Sequence, residues 1–277
     1  MLERIIVPLD GSKLAEAALP YAEEVAAKMG SDIALLSVLE SLTGEEYKEF
    51  RKYAKRIVPA TKHYAEKYIE TGSKAIKVEA ITRTGNPAKS ILEYVDKGNV
   101  DLIVMASHGR SGISRWAVGS VADKIVRATT RKPVMLIRAK ESRSDVREKR
   151  ILKTVLVPLD GSTGSRAVIP FISRIASKLE MEVTLLQVVP GNNHEYSDAE
   201  AYLRNESAEL EGQGVKASYK VSTGAVADKI VDLADELFVD LVAMSTRGRK
   251  GFNLWSLGSV AERVFLGGNT PLLLVRQ

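Results

Sequence analysis

The sequence predicts two tandem α/β domains, each a doubly wound parallel sheet with helices on both faces. Two observations carry this expectation. The chain repeats itself: Val7 to Ser12 (Val-Pro-Leu-Asp-Gly-Ser) recurs letter for letter as Val157 to Ser162, and Gly119-Ser120-Val121-Ala122 returns as Gly258-Ser259-Val260-Ala261. Asp101 to Gly112 returns in kind as Asp240 to Gly251. A period of about 140 residues is the usual size of one domain. Within each copy, short β-branched runs alternate with helical periodicity, which implies parallel strands joined by right-handed crossovers. Residues 1–140 form the first domain and 151–277 the second; 141–150, charged and nearly free of apolar side chains, read as a solvated linker.

The elements follow in order. Ile5-Ile6-Val7 is a strand buried on both faces. Ala15, Ala18, Leu19, Ala22, Val25, Ala26 and Met29 form one helical stripe, and Val168 to Leu179 keep it in the second copy. Pro20 and Pro170 fall inside this helix and are expected to kink it. Gly30 is its stop. Ile33 to Leu39 is the second strand, copied by Val183 to Val189. Residues 43–71 read as a long polar helix broken near Pro59. Its stripe of Tyr47, Phe50, Tyr53, Ile57, Tyr64 and Tyr68 either packs on the sheet or lines a pocket. Third strands run from Ile76 to Thr82 and from Val215 to Val221. Gly85-Asn86-Pro87 opens the next helix, with proline in its first turn. Asp101 to Met105 and Asp240 to Met244 are fourth strands. Gly119 and Gly258 lead into fourth helices, and Pro133 to Arg138 and Pro271 to Arg276 are fifth strands.

Composition narrows the function. The chain has 277 residues, 27% charged, 45% hydrophobic and 6% aromatic, with no cysteine, which excludes disulfides, thiolate metal sites and cysteine nucleophiles. Net charge is +5, without the basic stripe and interleaved aromatics of a nucleic-acid binder. The first residues show no signal-peptide pattern and no apolar run is long enough to span a membrane, so the expected location is the cytoplasm.

In a doubly wound sheet, ligands bind beyond the carboxyl ends of the strands where strand order reverses. Asp10, after the first strand, and the glycine loop after the fourth should converge there. The loop runs from Ala106 through Gly109, Arg110 and Gly112 to Gly119-Ser120 at a helix start. Free backbone donors and the helix dipole favour an anion at that point, and the glycines permit close approach. This reads as a phosphate cradle, although it is neither a Walker A loop nor a dinucleotide fingerprint. Simpler readings stand beside it: Gly119 and Gly258 as tight turns, Ser120 and Ser259 as N-caps, Asp10 and Asp160 as N-caps of the first helix.

Both copies resemble domains of the universal stress protein family. The resemblance rests on the strand-one motif with Pro, Asp and Gly-Ser, and on the loop Gly-x-x-Gly-x9-Gly-Ser/Thr. Here that loop is Ala106-x-x-Gly109-x9-Gly119-Ser120 and Ser245-x-x-Gly248-x9-Gly258-Ser259, with the first glycine replaced in each copy. The resemblance implies a five-stranded sheet of order 3-2-1-4-5 that binds ATP or AMP, with magnesium accompanying ATP. It places Asp10 at the ribose, the Val38 backbone at the adenine, and Gly109, Arg110, Gly119 and Ser120 at the phosphates. Asp160, Val188, Gly248, Arg249, Gly258 and Ser259 take the same parts in the second copy. Pro8, Met105, Ala106, His108 and Val121 complete the first candidate site, and Pro158, Met244, Ser245, Arg247 and Val260 the second. The family also pairs domains through the fifth strand, so Val134 to Ile137 is expected to meet Leu272 to Val275 within the chain. A homodimer is a further expectation.

An enzyme needs a placed acid, base or nucleophile. The best candidate, His108, has Arg247 as its counterpart, and His63 and His194 form no cluster. The leading expectation is a nucleotide-binding stress-response protein without committed catalysis. A slow ATPase and a nucleotide-free interaction scaffold are the alternatives.

Overall fold

Hydrophobic strands alternating with amphipathic helices build the same layered sheet twice. The computed structural model describes residues 2–69, 74–107, 119–129, 132–138, 150–191, 193–246 and 258–277. The chain divides into two units, Met1–Ile151 and Leu152–Gln277.

The first unit comprises β1 (Arg4–Pro8), α1 (Lys13–Glu16), α2 (Leu19–Met29), β2 (Asp32–Leu39), α3 (Gly44–Glu66), β3 (Val78–Thr84), α4 (Pro87–Lys97), β4 (Leu102–Ala106), α5 (Ser120–Ala128) and β5 (Val134–Ile137). All its strand pairs are parallel, in the order β3-β2-β1-β4-β5. Ile5, Ile6, Val7, Ile103 and Val104 are buried at the sheet's centre. Helices α2 and α3 pack together, as do α4 and α5, so each face of the sheet is covered. Asp101 closes the lower end: its carboxylate accepts the Glu3 and Arg4 N–H groups at 2.7 and 3.2 Å, fixing where β1 begins.

Two proline expectations are corrected. The helix expected through Pro20 is two helices: α1 ends at Glu16 and α2 starts at Leu19, with Pro20 in its first turn. A missing N–H costs nothing there, so nothing is kinked. Pro170 opens α7 in the same way. The break near Pro59 is also absent, because α3 runs unbroken for 23 residues. Pro59 and Lys55 are both exposed, so water can serve the Lys55 carbonyl. Ile57, Thr61 and Ala65 meanwhile hold the opposite face to the sheet. Gly30 does end α2, in the left-handed conformation at φ 69°.

The second unit repeats the plan: β6 (Thr154–Pro158), α6 (Thr163–Arg166), α7 (Ile169–Leu179), β7 (Glu182–Val189), α8 (Asn193–Gly212), β8 (Lys216–Thr223), α9 (Val226–Glu236), β9 (Leu241–Thr246), α10 (Ser259–Gly267) and β10 (Leu272–Arg276). Its strands are parallel in the order β8-β7-β6-β9-β10. Asp240 does for β6 what Asp101 does for β1, accepting from Lys153 N, Thr154 N and Thr154 Oγ1.

One tie keeps its place and reverses its charges. In the first unit Glu16 on α1 pairs with Arg56 on α3 at 2.7 Å. In the second, Arg166 on α6 pairs with Glu206 on α8 at 2.7 Å, and also with Glu209. Tyr202 lies near Glu206, Arg166 and Asp160 as Tyr53 lies near Glu16, Arg56 and Asp10, which sets the register of α3 against α8. In that register Glu46 and Glu49 correspond to Glu195 and Asp198.

Candidate functional site

In the first unit β1 pairs with β2 on one side and β4 on the other, so strand order reverses between β1 and β4. The chain leaving β1 is fixed by its own backbone. Leu9 N donates to Leu36 O at 2.9 Å, and the buried Ser37 hydroxyl donates to Leu9 O at 2.8 Å. Gly11, at φ 82°, makes the left-handed turn that follows. Asp10 Oδ1 accepts the Ser12 N–H at 2.9 Å, and Ser12 Oγ accepts Ala15 N at 3.1 Å. The N-cap of α1 is therefore Ser12, not Asp10. Asp10 is left half-buried at the strand's carboxyl end, its orientation set by the turn.

The chain leaving β4 returns to the same place. Ser107 N donates to Ile137 O, and Gly119 N donates to Ser107 O, both at 2.8 Å. Gly119 is thus held beside the end of β4, where it is the N-cap of α5. Asp123 N makes the bond to Gly119 O at 2.9 Å, so the N–H groups of Ser120, Val121 and Ala122 precede the first intrahelical bond. Ser120 is the first helical residue rather than the cap, and its exposed side chain takes no capping role. The same holds for Gly258 and Ser259 at α10.

These two chain ends border a cleft of about 460 Å3. Of the sequence-predicted residues, Pro8, Asp10, Val38, Met105, Ala106, Gly119, Ser120 and Val121 all line it. His108, Gly109 and Arg110 lie outside the described residues. The volume suits a ligand of a few hundred daltons. Its lining includes both the carboxylate of Asp10 and the N-terminus of α5, the positive end of that helix's dipole.

Sequence reasoning missed Glu40, Glu46, Gly85, Pro87 and Ile91, which also line the wall. Glu46 accepts the Glu40 N–H at 2.9 Å and so ties the start of α3 to the end of β2. A second cavity of about 220 Å3 adjoins the cleft, sharing Asp10, Val38 and Glu46 with it and adding Glu49, Phe50 and Tyr53. The aromatic stripe thus divides: Ile57 packs in the core, while Phe50 and Tyr53 line this cavity.

In the second unit the matching residues make different contacts. Asp160 is exposed, and its Oδ1 accepts both Ser162 N at 3.0 Å and Ser162 Oγ at 2.5 Å. Ser165 Oγ accepts the Asp160 N–H at 3.1 Å, and Ser162 again caps the helix. Ser245, which stands where the first unit has Ala106, donates its hydroxyl to Gly164 O at 2.6 Å. Met244 is buried, while Pro158, Val188 and Val260 are half-buried. Gly258 sits at φ 85°, against −60° for Gly119. Arg247, Gly248 and Arg249 lie outside the described residues. Among the described residues no group of three or more His, Asp or Glu could hold a metal ion, and no helix is long and apolar enough to cross a membrane.

The profile of the universal stress protein family matches this chain twice, over residues 1–138 and 152–276. A universal stress protein of Methanocaldococcus jannaschii is 31% identical over 144 residues, 47% of this chain and 85% of that one. The Bacillus subtilis universal stress protein YxiE is 29% identical over 155 residues, half of this chain and all of that one. A crystal structure of a universal stress protein from Archaeoglobus fulgidus superposes with a TM-score of 0.71 at 20% identity, covering 100% of this chain and 99% of the other. That likeness extends the shared fold over both halves.

Proposed function

The chain belongs to the universal stress protein family, and from that premise we propose that its first unit binds an adenine nucleotide, ATP or AMP, in the cleft between β1 and β4. The observation that carries this reading is the pairing of unlike ends in one cleft: the Asp10 carboxylate and the N-terminus of α5 both line it. A nucleotide is itself bipolar in this sense. Its ribose hydroxyls donate hydrogen bonds, which a carboxylate accepts, and its phosphates accept them, which suits backbone N–H groups at a helix start.

In this reading Asp10 holds the ribose, and the Val38 backbone meets the adenine against Pro8 and Met105. Gly119, Ser120 and Val121 receive the phosphates, joined by Gly109 and Arg110. Asp160, Val188, Gly258 and Ser259, with Gly248 and Arg249, play these parts in the second unit. Magnesium, when present, rides on the phosphates of ATP rather than in a cage of protein carboxylates.

Mass spectrometry of ligand released by heating the purified chain tests the proposal. The expected result is an adenine nucleotide, or, for chain purified empty, a rise in melting temperature with millimolar AMP or ATP. A chain that carries no nucleotide and melts unchanged in both would overturn it.

A further inference from the structure

The cavity of about 220 Å3 beside the cleft shares Asp10 and Val38 with it, so whatever Asp10 holds borders both spaces. Among the described residues its wall contains three carboxylates, those of Asp10, Glu46 and Glu49, and no Lys, Arg or His. The one hydroxyl from the sheet, that of Ser37, is spent on Leu9 O at 2.8 Å. Phe50 and Tyr53 form an aromatic side. Arg56 lies over the Tyr53 ring, with its guanidinium paired to Glu16. The charged groups lining this corner are thus all carboxylates among the described residues. The Tyr53 phenol is pushed well above its ordinary value, chiefly by burial and then by Glu16, with Asp10 adding in the same direction against Arg56.

We infer that this cavity makes the first unit selective for a ribose whose 2′ and 3′ hydroxyls carry no phosphate. The inference rests on the reading of Asp10 as the ribose ligand. A phosphate on either hydroxyl would enter a space bordered by three carboxylates and would lose its water without gaining a cation. An unmodified diol faces no such cost, because it donates to the carboxylate. The second unit keeps carboxylates at the positions of Glu46 and Glu49, as Glu195 and Asp198. In the first unit the selection against ribose phosphate is set by the acidic start of α3.

Calorimetric titration of the full chain carrying Asp160→Ala, which removes the ribose carboxylate of the second unit, tests this with three probes. AMP, adenosine 2′,5′-bisphosphate and adenosine 3′,5′-bisphosphate differ by a single phosphate. AMP should bind at least about tenfold more tightly than either bisphosphate. Glu49→Lys on the same background should narrow that ratio at least about threefold. Glu49 is exposed, so the change leaves the fold intact. Raising salt from about 50 to about 500 mM should narrow the ratio too, since screening weakens repulsion and leaves steric exclusion untouched. Bisphosphates that bind as tightly as AMP overturn the inference alone, as does a ratio moved by neither Glu49→Lys nor salt. AMP that fails to bind overturns the reading beneath it as well.

Discussion

Gly119 and Gly258 occupy the same position, before the last helix of each unit, but with different backbones. Gly119 has φ −60° and ψ 142°, which any residue adopts. Gly258 has φ 85° and ψ 143°, close to a region that only glycine populates readily. Among the described residues a Cβ built on Gly258 meets nothing within 4 Å, so the cost of a side chain there is argued from its backbone conformation. Replacing either glycine by alanine weakens an N-cap and stiffens the unfolded chain, terms of about 0.5–1 kcal/mol and opposite sign. They are common to both variants and cancel in the comparison. What remains is the strain at Gly258, about 1–3 kcal/mol. For a unit of this size that corresponds to roughly 3–15 °C in melting temperature. Scanning calorimetry of Gly119→Ala and Gly258→Ala in the full chain should therefore show the second falling well below the first. Two variants that melt within about 2 °C of each other would refute the argument.

The remaining predictions concern the supports of the site. Glu16→Arg should destabilise the first unit by about 1 kcal/mol, since it sets two guanidiniums together at a partly exposed site, and adding Arg56→Glu should restore most of the loss. A double-mutant cycle in urea reads this, and it fails if the reversed pair is no better than the single change. Tyr202 is pushed up to about 12, chiefly by burial and then by Glu206, with Arg166 opposing. The folded chain therefore keeps that proton where the unfolded chain has lost it, so stability is full below about pH 10 and falls as pH rises toward about 12. Tyr202→Phe should flatten part of the decline in urea midpoint over that range, and an unchanged slope would contradict it.

The sheet was legible in the sequence because buried parallel strands leave a plain mark: uninterrupted runs such as Ile5-Ile6-Val7, repeated in the second copy. The prolines misled because pattern alone does not show where a helix starts. Pro20 reads as a helix breaker until Ser12 is seen to cap a separate first turn and Leu19 to begin a new one. Pro59 sits on an exposed face, where tertiary packing by Ile57 and Ala65 outweighs a local penalty. The duplication pointed to Asp10 and Gly119, and both line one cleft. The wall supplied by Glu40 and Glu46 was not legible, because the segment between the second strand and the following helix differs between the copies and hides the match of Glu46 with Glu195. The reversed pair Glu16–Arg56 and Arg166–Glu206 escaped for the same reason: comparing the copies by identity hides an interaction that is kept while both its residues change.

The central claim, that the Asp10 carboxylate and the start of α5 grip opposite ends of one nucleotide, is tested most directly by titrating AMP into the parent chain and into Asp10→Ala. Hydrogen bonds to a charged acceptor contribute about 1.5–3 kcal/mol, so the loss at the first unit's site should be roughly 10- to 150-fold. A parent chain that takes up no AMP, or an Asp10→Ala chain that binds it within about twofold of the parent, would contradict the account.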